Sequence, residues 1–218
     1  MKISIMKAVL EENDDRAQEI TKLLKEKQIL LLNLISSPGS GKTTLLERTV
    51  EFFRDKYSIA VIEGDITTAR DAERLEKYKI PLVVINTDGA CHLNSLSIKN
   101  ALDQFDLNNL DIIFVENVGN LVCPSEFNIG ENAKIAILST AEGDDKPAKY
   151  PLLFRESELM LLNKTDLIPY TNFNKESFYK DLEKINKDLP VIETSCTKNE
   201  GLSDWFDWIE QKKQSGGI

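Results

Sequence analysis

The stretch that decides the fold is Leu30–Leu46, which reads LLLNLISSPGSGKTTLL. An apolar run leads into a loop of small residues, and a mixed polar and apolar pattern follows. A buried strand, a small-residue loop and the start of a helix are the setting that a phosphate-binding P-loop needs. Backbone N–H groups of such a loop surround the phosphates, and the helix N-terminus adds the positive end of its dipole. The stretch therefore predicts a P-loop, in which Ser36 stands where the usual pattern has glycine.

Two residues of this loop have predicted chemical roles. The Lys42 ammonium group can reach the terminal phosphates of a nucleotide, and the Thr43 hydroxyl can bind Mg²⁺. Catalysis at such a site depends on positioning and on charge stabilisation by Mg²⁺ and Lys42. The predicted nucleotide-binding residues of the loop are Pro38, Gly39, Ser40, Gly41, Lys42, Thr43 and Thr44.

Composition limits the class of protein. A chain of 218 residues is long enough for one α/β domain with a full core. It has no apolar run close to 18 residues, and its N-terminus lacks the apolar run of a signal peptide, so we expect a cytoplasmic protein without a membrane span. The formal net charge of −9 argues against non-specific nucleic-acid binding, which needs many Lys and Arg contacts to phosphate.

Short apolar runs alternate with longer amphipathic segments along the whole chain. This pattern predicts a mostly parallel sheet flanked by helices, in a three-layer P-loop α/β fold with every nucleotide motif at one sheet edge. The predicted strands are 30–35, 57–62, 80–85, 111–115, 133–139, 158–162 and 190–193. The main predicted helices are 6–28, 42–55, 94–104, 175–187 and 202–212.

The four residues Asn163-Lys164-Thr165-Asp166, which follow an apolar strand, predict the base that is bound. The Asp166 carboxylate can accept from the ring N1–H and the exocyclic amine of guanine. Adenine has an acceptor at N1, so this carboxylate disfavours ATP. The Lys164 stem can lie along the base, and Asn163 can tie this loop to the P-loop. More weakly, a backbone N–H of Ser195-Cys196 is a candidate donor to the guanine oxygen. A packed small residue is the alternative role of Cys196.

These motifs predict a GTP-binding domain that spans the chain. We expect residues 1–218 to form a single G domain, with an N-terminal helix at 6–28, a P-loop GTPase core at 29–213 and a frayed tail at 214–218. The apolar stripe of the N-terminal helix is expected to pack on the domain or on a second subunit.

Acidic residues near the strand ends are candidates for Mg²⁺ binding and for catalysis. Glu116-Asn117-Val118-Gly119 ends a strand as Asp-x-x-Gly does in GTPases, so Glu116 is expected to act on Mg²⁺ directly or through water. The Gly119 N–H can contact the γ-phosphate. Asp65 and Asp71 are candidates for the first switch, where one could hold Mg²⁺ and the other orient the attacking water; their alternative role is helix capping. The predicted catalytic residues are Lys42, Asp65, Asp71 and Glu116.

A possible metal centre consists of Cys91, His92 and Cys123. Thiolate and imidazole suit Zn²⁺ or Ni²⁺, and the fourth ligand must be water or come from another chain. Pairing across a two-fold axis would put the metal at a dimer interface. The alternative is two buried thiols and one exposed histidine. Cys123 lies four residues after Gly119, in the segment that should move when the γ-phosphate is lost, so metal and nucleotide affinity should be linked.

Together, these motifs resemble the HypB family of hydrogenase nickel-incorporation GTPases. The resemblance covers residues 5–213 and is most specific in ENVGNLVCP and EGDDKPAKYP. It implies a cytoplasmic GTPase metallochaperone of the SIMIBI class of P-loop proteins. By this resemblance the protein dimerises with GTP and, with a HypA-type partner, helps load nickel into the [NiFe]-hydrogenase large subunit. The family's metal site maps onto Cys91, His92 and Cys123, and its Mg²⁺-associated acids map onto Asp71 and Glu116.

Three other functions compete with this interpretation. A urease-accessory GTPase uses a related domain, but its metal motif is usually Cys-Pro-His, whereas Cys91-His92 and Cys123-Pro124 are separate here. A regulatory GTP-binding module with structural thiols and a passive metal buffer with a vestigial nucleotide site are the others. Metal stoichiometry and GTP turnover distinguish them.

Overall fold

The computed structural model describes residues 2–65, 74–87 and 89–216. Among the predicted site residues, Asp71 lies outside the described residues, and Asp65 is described only as the last residue of its strand. The main helices are α1 (Lys2–Lys27), α2 (Lys42–Phe53), α3 (Ser95–Leu102), α4 (Cys123–Glu126), α5 (Lys146–Lys149), α6 (Pro151–Glu156), α7 (Lys175–Ile185) and α8 (Leu202–Gln214). The strands are β1 (Leu30–Ser36), β2 (Ile59–Asp65), β3 (Leu82–Asn86), β4 (Ile112–Glu116), β5 (Ala133–Ser139), β6 (Leu159–Asn163) and β7 (Val191–Glu193).

The strands form one parallel sheet. Its seven strands lie in the order β3-β2-β4-β1-β5-β6-β7, and each neighbouring pair is parallel. Strand β1 is at the centre, so all seven of its residues are buried. The predicted mostly parallel sheet flanked by helices is confirmed.

Helices cover both faces of this sheet because successive β1 side chains point to opposite sides. Leu32 belongs to a core cluster with Phe53 of α2 and Trp205 of α8. Leu31, the preceding residue, belongs to a second cluster with Leu24 of α1. The result is the predicted three-layer arrangement, with α2 and α8 on one face and α1 on the other.

Helix α1 packs on its own domain. Ala17, Ile20 and Leu24 form its apolar stripe and are all buried. In addition, the buried Asn13 side chain donates to the Asn128 carbonyl oxygen at 2.8 Å. The stripe was expected to pack either on the domain or on a second subunit, and in the structure it packs on the domain. In the part of the chain that the structure describes, this helix and the others are too short or too polar to cross a membrane.

Strand β2 differs from its predicted bounds of 57–62. It starts at Ile59 and continues to Asp65, because its last three residues pair with residues 84–86 of β3. The extension carries Glu63 to the edge of the sheet, directly opposite Glu116 in the pairing of β2 with β4. Ligands bind at this carboxyl edge in parallel α/β folds.

Candidate nucleotide site and metal centre

The P-loop runs from the end of β1 into α2. Gly39 and Gly41 have φ angles of 77° and 103°, which side-chain-bearing residues rarely adopt. The Lys42 ammonium group donates to the Ser36 hydroxyl oxygen at 2.7 Å. The Thr43 hydroxyl donates to Glu116 Oε1 at 2.9 Å. Ser36, the departure from the usual pattern, therefore holds the lysine that is predicted to bind phosphate.

The predicted guanine-recognition segment, Asn163–Asp166, is tied to this loop by two side chains. Asn163 Nδ2 donates to the Ser40 carbonyl oxygen at 2.9 Å, and Lys164 Nζ donates to the Gly39 carbonyl oxygen at 2.6 Å. Lys164 itself has a φ of 60°. The phosphate and base loops are thus fixed to one another by hydrogen bonds that start from two adjacent residues.

Substitution of Gly41 by alanine tests this contact. A Cβ at this position would lie 2.5 Å from Asn163 Nδ2, and the positive φ adds strain of about 1–2 kcal/mol. We expect the Asn163–Ser40 hydrogen bond to break and GTP affinity to fall about tenfold or more, at about 1.4 kcal/mol per factor of ten. Fluorescence titration with a labelled GTP analogue measures the affinity. Gly216→Ala is the matched control, since it also has a positive φ but nothing within 4 Å of its Cβ. Equal affinities in the two variants would contradict the prediction.

The backbone N–H groups of Ser195 and Cys196, the candidate donors to the guanine oxygen, have acceptors within the protein in the structure. The Ser195 N–H donates to the Glu200 carbonyl oxygen at 3.0 Å, and the Cys196 N–H donates to Asn163 Oδ1 at 3.3 Å. Both predicted donors to the guanine oxygen therefore already have acceptors inside the protein. In addition, the Ser195 hydroxyl donates to Asp166 Oδ1 at 2.6 Å and orients the carboxylate.

The nucleotide motifs meet around one cavity of about 610 Å³. Of the predicted residues, Pro38, Gly39, Gly41, Lys42, Thr43, Thr44, Glu116, Gly119 and Lys164 line it. Ser40, Asn163, Asp166, Ser195 and Cys196 are not among its lining residues. A hydroxyl and a carboxylate, from Thr43 and Glu116, are oxygen donors that suit Mg²⁺.

Six further residues line the same cavity, among them three that sequence reasoning missed, Glu63, Arg74 and Thr197. Glu63 is buried and lies beside Glu116. Like Glu116, Glu63 follows the apolar residues of a strand, and this shared position could have identified it as a site residue. Arg74 lines the cavity and donates to the Thr44 hydroxyl at 3.0 Å, while also pairing with Glu47. Thr197 is the third, and no local pattern marks it.

The three predicted metal ligands come together. One ligand atom from each of Cys91, His92 and Cys123 lies within 4.8 Å of the other two. Cys91 and His92 lie in the loop between β3 and α3, and Cys123 begins α4. The imidazole stacks on Phe127 with ring centroids 3.9 Å apart. Two sulfurs and one nitrogen at this spacing suit Zn²⁺ or Ni²⁺.

The burial of these residues contradicts the structural alternative. Cys91 is exposed, Cys123 is intermediate and His92 is half-buried, whereas that alternative required two buried thiols and an exposed histidine. A hydrogen bond with Cys123, together with burial, raises the pKa of the Cys91 thiol. Burial lowers the pKa of His92 and so favours the neutral imidazole that binds metals, although the Glu126 charge acts in the opposite direction.

Cys196 is the thiol that does fit a packed structural role. It is buried, and its burial raises its pKa to about 11. Its predicted alternative, a small residue packed in the core, agrees with its place in the main hydrophobic cluster.

The fold and these two candidate sites define a P-loop nucleotide-binding protein that also brings two cysteines and a histidine together as candidate metal ligands. Comparison with known proteins agrees with this class: the family described as "CobW/HypB/UreG, nucleotide-binding domain" matches residues 30–193. The hydrogenase maturation factor HypB of Azotobacter vinelandii is 44% identical over 211 residues, which cover 97% of this chain and 70% of the relative. The chain therefore belongs to the HypB family.

Two Helicobacter relatives extend this result. The "Hydrogenase/urease maturation factor HypB" of Helicobacter hepaticus is 40% identical, over 97% of this chain and 88% of that protein. The crystal structure of HypB from Helicobacter pylori in complex with nickel superposes with a TM-score of 0.88 and 37% identity, over 94% of this chain and 96% of that chain. The similarity thus includes both sequence and the whole described architecture.

Proposed function

We propose that this protein is a GTP-hydrolysing nickel metallochaperone that helps insert nickel into [NiFe]-hydrogenase during maturation of that enzyme. The observation that carries the proposal is the convergence of Cys91, His92 and Cys123 in a HypB-family fold, in which Cys123 follows the cavity-lining Gly119 by four residues. Nickel is cargo in this proposal rather than a resident cofactor. A relative whose structure was solved with nickel supports this assignment.

The proposed GTPase reaction depends on positioning and charge. Lys42 binds the β- and γ-phosphates after leaving the Ser36 hydroxyl, and the Gly119 N–H donates to the γ-phosphate. Thr43 and Glu116 hold Mg²⁺, which when bound neutralises charge that develops on the phosphate oxygens. Asp65 and Asp71 remain candidates for a further Mg²⁺ contact and for orienting the attacking water.

The metal centre of one chain is incomplete by itself. Three protein ligands lie together among the described residues, whereas Zn²⁺ and Ni²⁺ commonly take four. In the proposal, a second copy of the chain meets the first across a two-fold axis, and the shared metal joins the homodimer. The further proposed partners are GTP and GDP, a HypA-type nickel chaperone and the hydrogenase large subunit. We place the reaction in the cytoplasm, without nucleic acid or membrane as partner.

The same family also suggests a second acceptor. The Helicobacter hepaticus relative is named a hydrogenase/urease maturation factor, so urease is a second candidate for receiving nickel. The match to HypB proteins over nearly the whole chain favours this family over a dedicated urease-accessory GTPase. The separate positions of Cys91-His92 and Cys123-Pro124 agree with that preference.

Nickel binding in two nucleotide states tests the proposed function. We expect GTP turnover, about one nickel per dimer, and a nickel affinity and oligomeric mass that differ between GDP and a non-hydrolysable GTP analogue. Cys91→Ala removes one ligand, so its nickel affinity should fall about 10–100-fold or more. Competition with a chromogenic chelator measures affinity, and light scattering measures mass.

Cys196→Ala is the matched control for nickel, because Cys196 is the free cysteine outside the cluster. It should retain the nickel stoichiometry of the unsubstituted protein. Equal nickel binding by Cys91→Ala and the unsubstituted protein would contradict the assigned centre and favour a regulatory module with structural thiols.

A further inference from the structure

The segment from Glu116 to Cys123, the nucleotide-sensing segment, contacts the metal-binding loop, which carries Cys91 and His92. The contacts lie on both sides of His92. Asn117 Oδ1 accepts a hydrogen bond from the Leu93 N–H at 3.1 Å. Asn120 Nδ2 donates to the Cys91 carbonyl oxygen at 3.3 Å. The residues immediately before and after His92 are therefore each held by an asparagine side chain of the nucleotide-sensing segment.

Asn117 is itself rigidly held. Its side chain is 1% exposed, and its Nδ2 donates to Oδ1 of the buried Asn33 on β1 at 3.1 Å. Its Oδ1 also accepts from the Val118 N–H at 3.0 Å. Its backbone N–H donates to the Leu34 carbonyl oxygen at 3.1 Å. An amide held at so many points transmits displacement rather than absorbing it, because buried hydrogen-bonded groups have few alternative arrangements.

Asn120 connects the two halves of the metal centre. In addition to its bond to Cys91, its Oδ1 accepts from the Val122 N–H at 2.8 Å and so orders the turn that leads into Cys123. One side chain therefore contacts the backbone of one metal ligand and the residue before another. It is partly exposed, unlike Asn117, so the domain core does not depend on it.

The other end of this segment is packed against the P-loop. Glu116 accepts from the Thr43 hydroxyl, and a Cβ on Gly119 would lie 2.7 Å from Pro38 Cγ. Gly119 consequently has no free space on the P-loop side. If a γ-phosphate displaces the segment, the segment moves away from the P-loop. Asn117 and Asn120 join the segment to the loop that carries Cys91 and His92, so that loop moves with it.

We propose that Asn117 and Asn120 are positioning residues that make the Cys91-His92 loop follow the nucleotide-sensing segment and thereby couple nickel affinity to the bound nucleotide. The inference rests on the proposed function. Neither residue needs to touch nickel; Asn117 also lines the nucleotide cavity, whereas Asn120 does not. By linkage, the factor by which the GTP analogue changes nickel affinity equals the factor by which nickel changes affinity for the analogue. Couplings of this kind are typically about 5–150-fold.

The test is the coupling factor, defined as the ratio of the nickel Kd values in GDP and in the GTP analogue. We expect it to fall to within about twofold of one in Asn120→Ala, against the typical 5–150-fold in the unsubstituted protein. Asn120→Asp is a sharper variant, because a carboxylate still accepts from Val122 but cannot donate to Cys91. Asn117→Ala is added if its circular dichroism spectrum shows the native fold.

A control variant and a reciprocal measurement accompany this test. Asn100→Ala removes an exposed asparagine from α3, the helix that follows the metal loop, and should keep the original factor. Affinity for the labelled GTP analogue, measured with and without nickel, must give the same factor for each variant. A purely structural role of Asn120 would weaken nickel binding equally in both nucleotide states and leave the ratio unchanged.

The outcomes separate this inference from the proposed function. A coupling factor within about twofold of one in the Asn120 variants, with nickel still bound in the GDP state, supports the inference. An unchanged ratio in those variants overturns the inference, and the proposed function stands if GTP turnover and a nucleotide-dependent nickel affinity are measured. A ratio of one in the unsubstituted protein overturns the inference and also contradicts the nucleotide-dependent nickel affinity expected from the proposed function. If the unsubstituted protein binds neither GTP nor nickel, the proposed function itself is wrong.

Discussion

Replacement of Lys42 by alanine is expected to lower kcat for GTP hydrolysis by about 10²–10³-fold, which corresponds to about 2.7–4 kcal/mol of transition-state stabilisation. Negative charge on the γ-phosphate oxygens must be balanced as the bond to the leaving group lengthens. Lys42 is 8% exposed, and its ammonium group is held 2.7 Å from the Ser36 hydroxyl. A buried, positioned cation in such a cavity acts more strongly than one in water.

Release of inorganic phosphate at saturating GTP measures this effect. Lys187→Ala is the matched control, since Lys187 is an exposed lysine beyond the end of α7 and should retain full turnover. Circular dichroism should show that both variants keep the fold. If Lys42→Ala retained most of the original turnover, hydrolysis would not occur at this P-loop. If the unsubstituted protein had no turnover, the passive metal buffer would be favoured.

Substitution of Asp166 by asparagine is expected to lower GTP affinity by about 10²–10³-fold and to favour xanthosine triphosphate instead. The carboxylate accepts from two donors of guanine, and charge-assisted hydrogen bonds of this kind contribute about 1.5–3 kcal/mol each. An amide presents one donor in place of an acceptor. Xanthine has a carbonyl where guanine has its exocyclic amine, so it can accept from that donor.

The structure indicates that Asp166→Asn changes the base preference without disturbing the loop. Ser195 Oγ donates to Asp166 Oδ1 at 2.6 Å, and the amide oxygen of asparagine can accept the same bond. The loop should therefore keep its shape while the base preference changes. Competition of both triphosphates against a labelled GTP analogue gives the two affinities. Asp188→Asn, at an exposed position, should leave both unchanged. A parallel loss of both triphosphates would indicate collapse of the loop rather than altered base recognition.

Local patterns predicted most of the fold. The strand, small-residue loop and helix of Leu30–Leu46 and the apolar strand before Asn163 are contiguous, so short-range periodicity and turn chemistry were sufficient to identify them. Strand ends were less accurate. The extension of β2 to Asp65 depends on pairing with β3, which is a contact between segments that are distant in the chain.

The same limit explains the missed site residues and the hydrogen bonds of Ser195. Glu63 faces the cavity because β2 pairs in register with β4. Arg74 faces it because its side chain reaches the Thr44 hydroxyl, which is 30 residues away in the chain. Ser195 orients Asp166 through its hydroxyl, since its N–H already has an acceptor in Glu200. Which donor remains available is a property of the whole hydrogen-bond network, and residue type does not determine it.

The amino-acid sequence by itself determined the class of this protein, a P-loop nucleotide-binding domain, because that motif is written in adjacent residues, and it also supplied a candidate guanine-recognition segment and three candidate metal ligands. Only the tertiary structure decided that Cys91, His92 and Cys123 meet within 4.8 Å and that Asn117 and Asn120 hold the loop between them. The physical reason is that ligands in separate segments converge only when the parallel sheet brings their loops to one edge. Proximity of this kind depends on strand order and register, and these are set by packing across the whole domain.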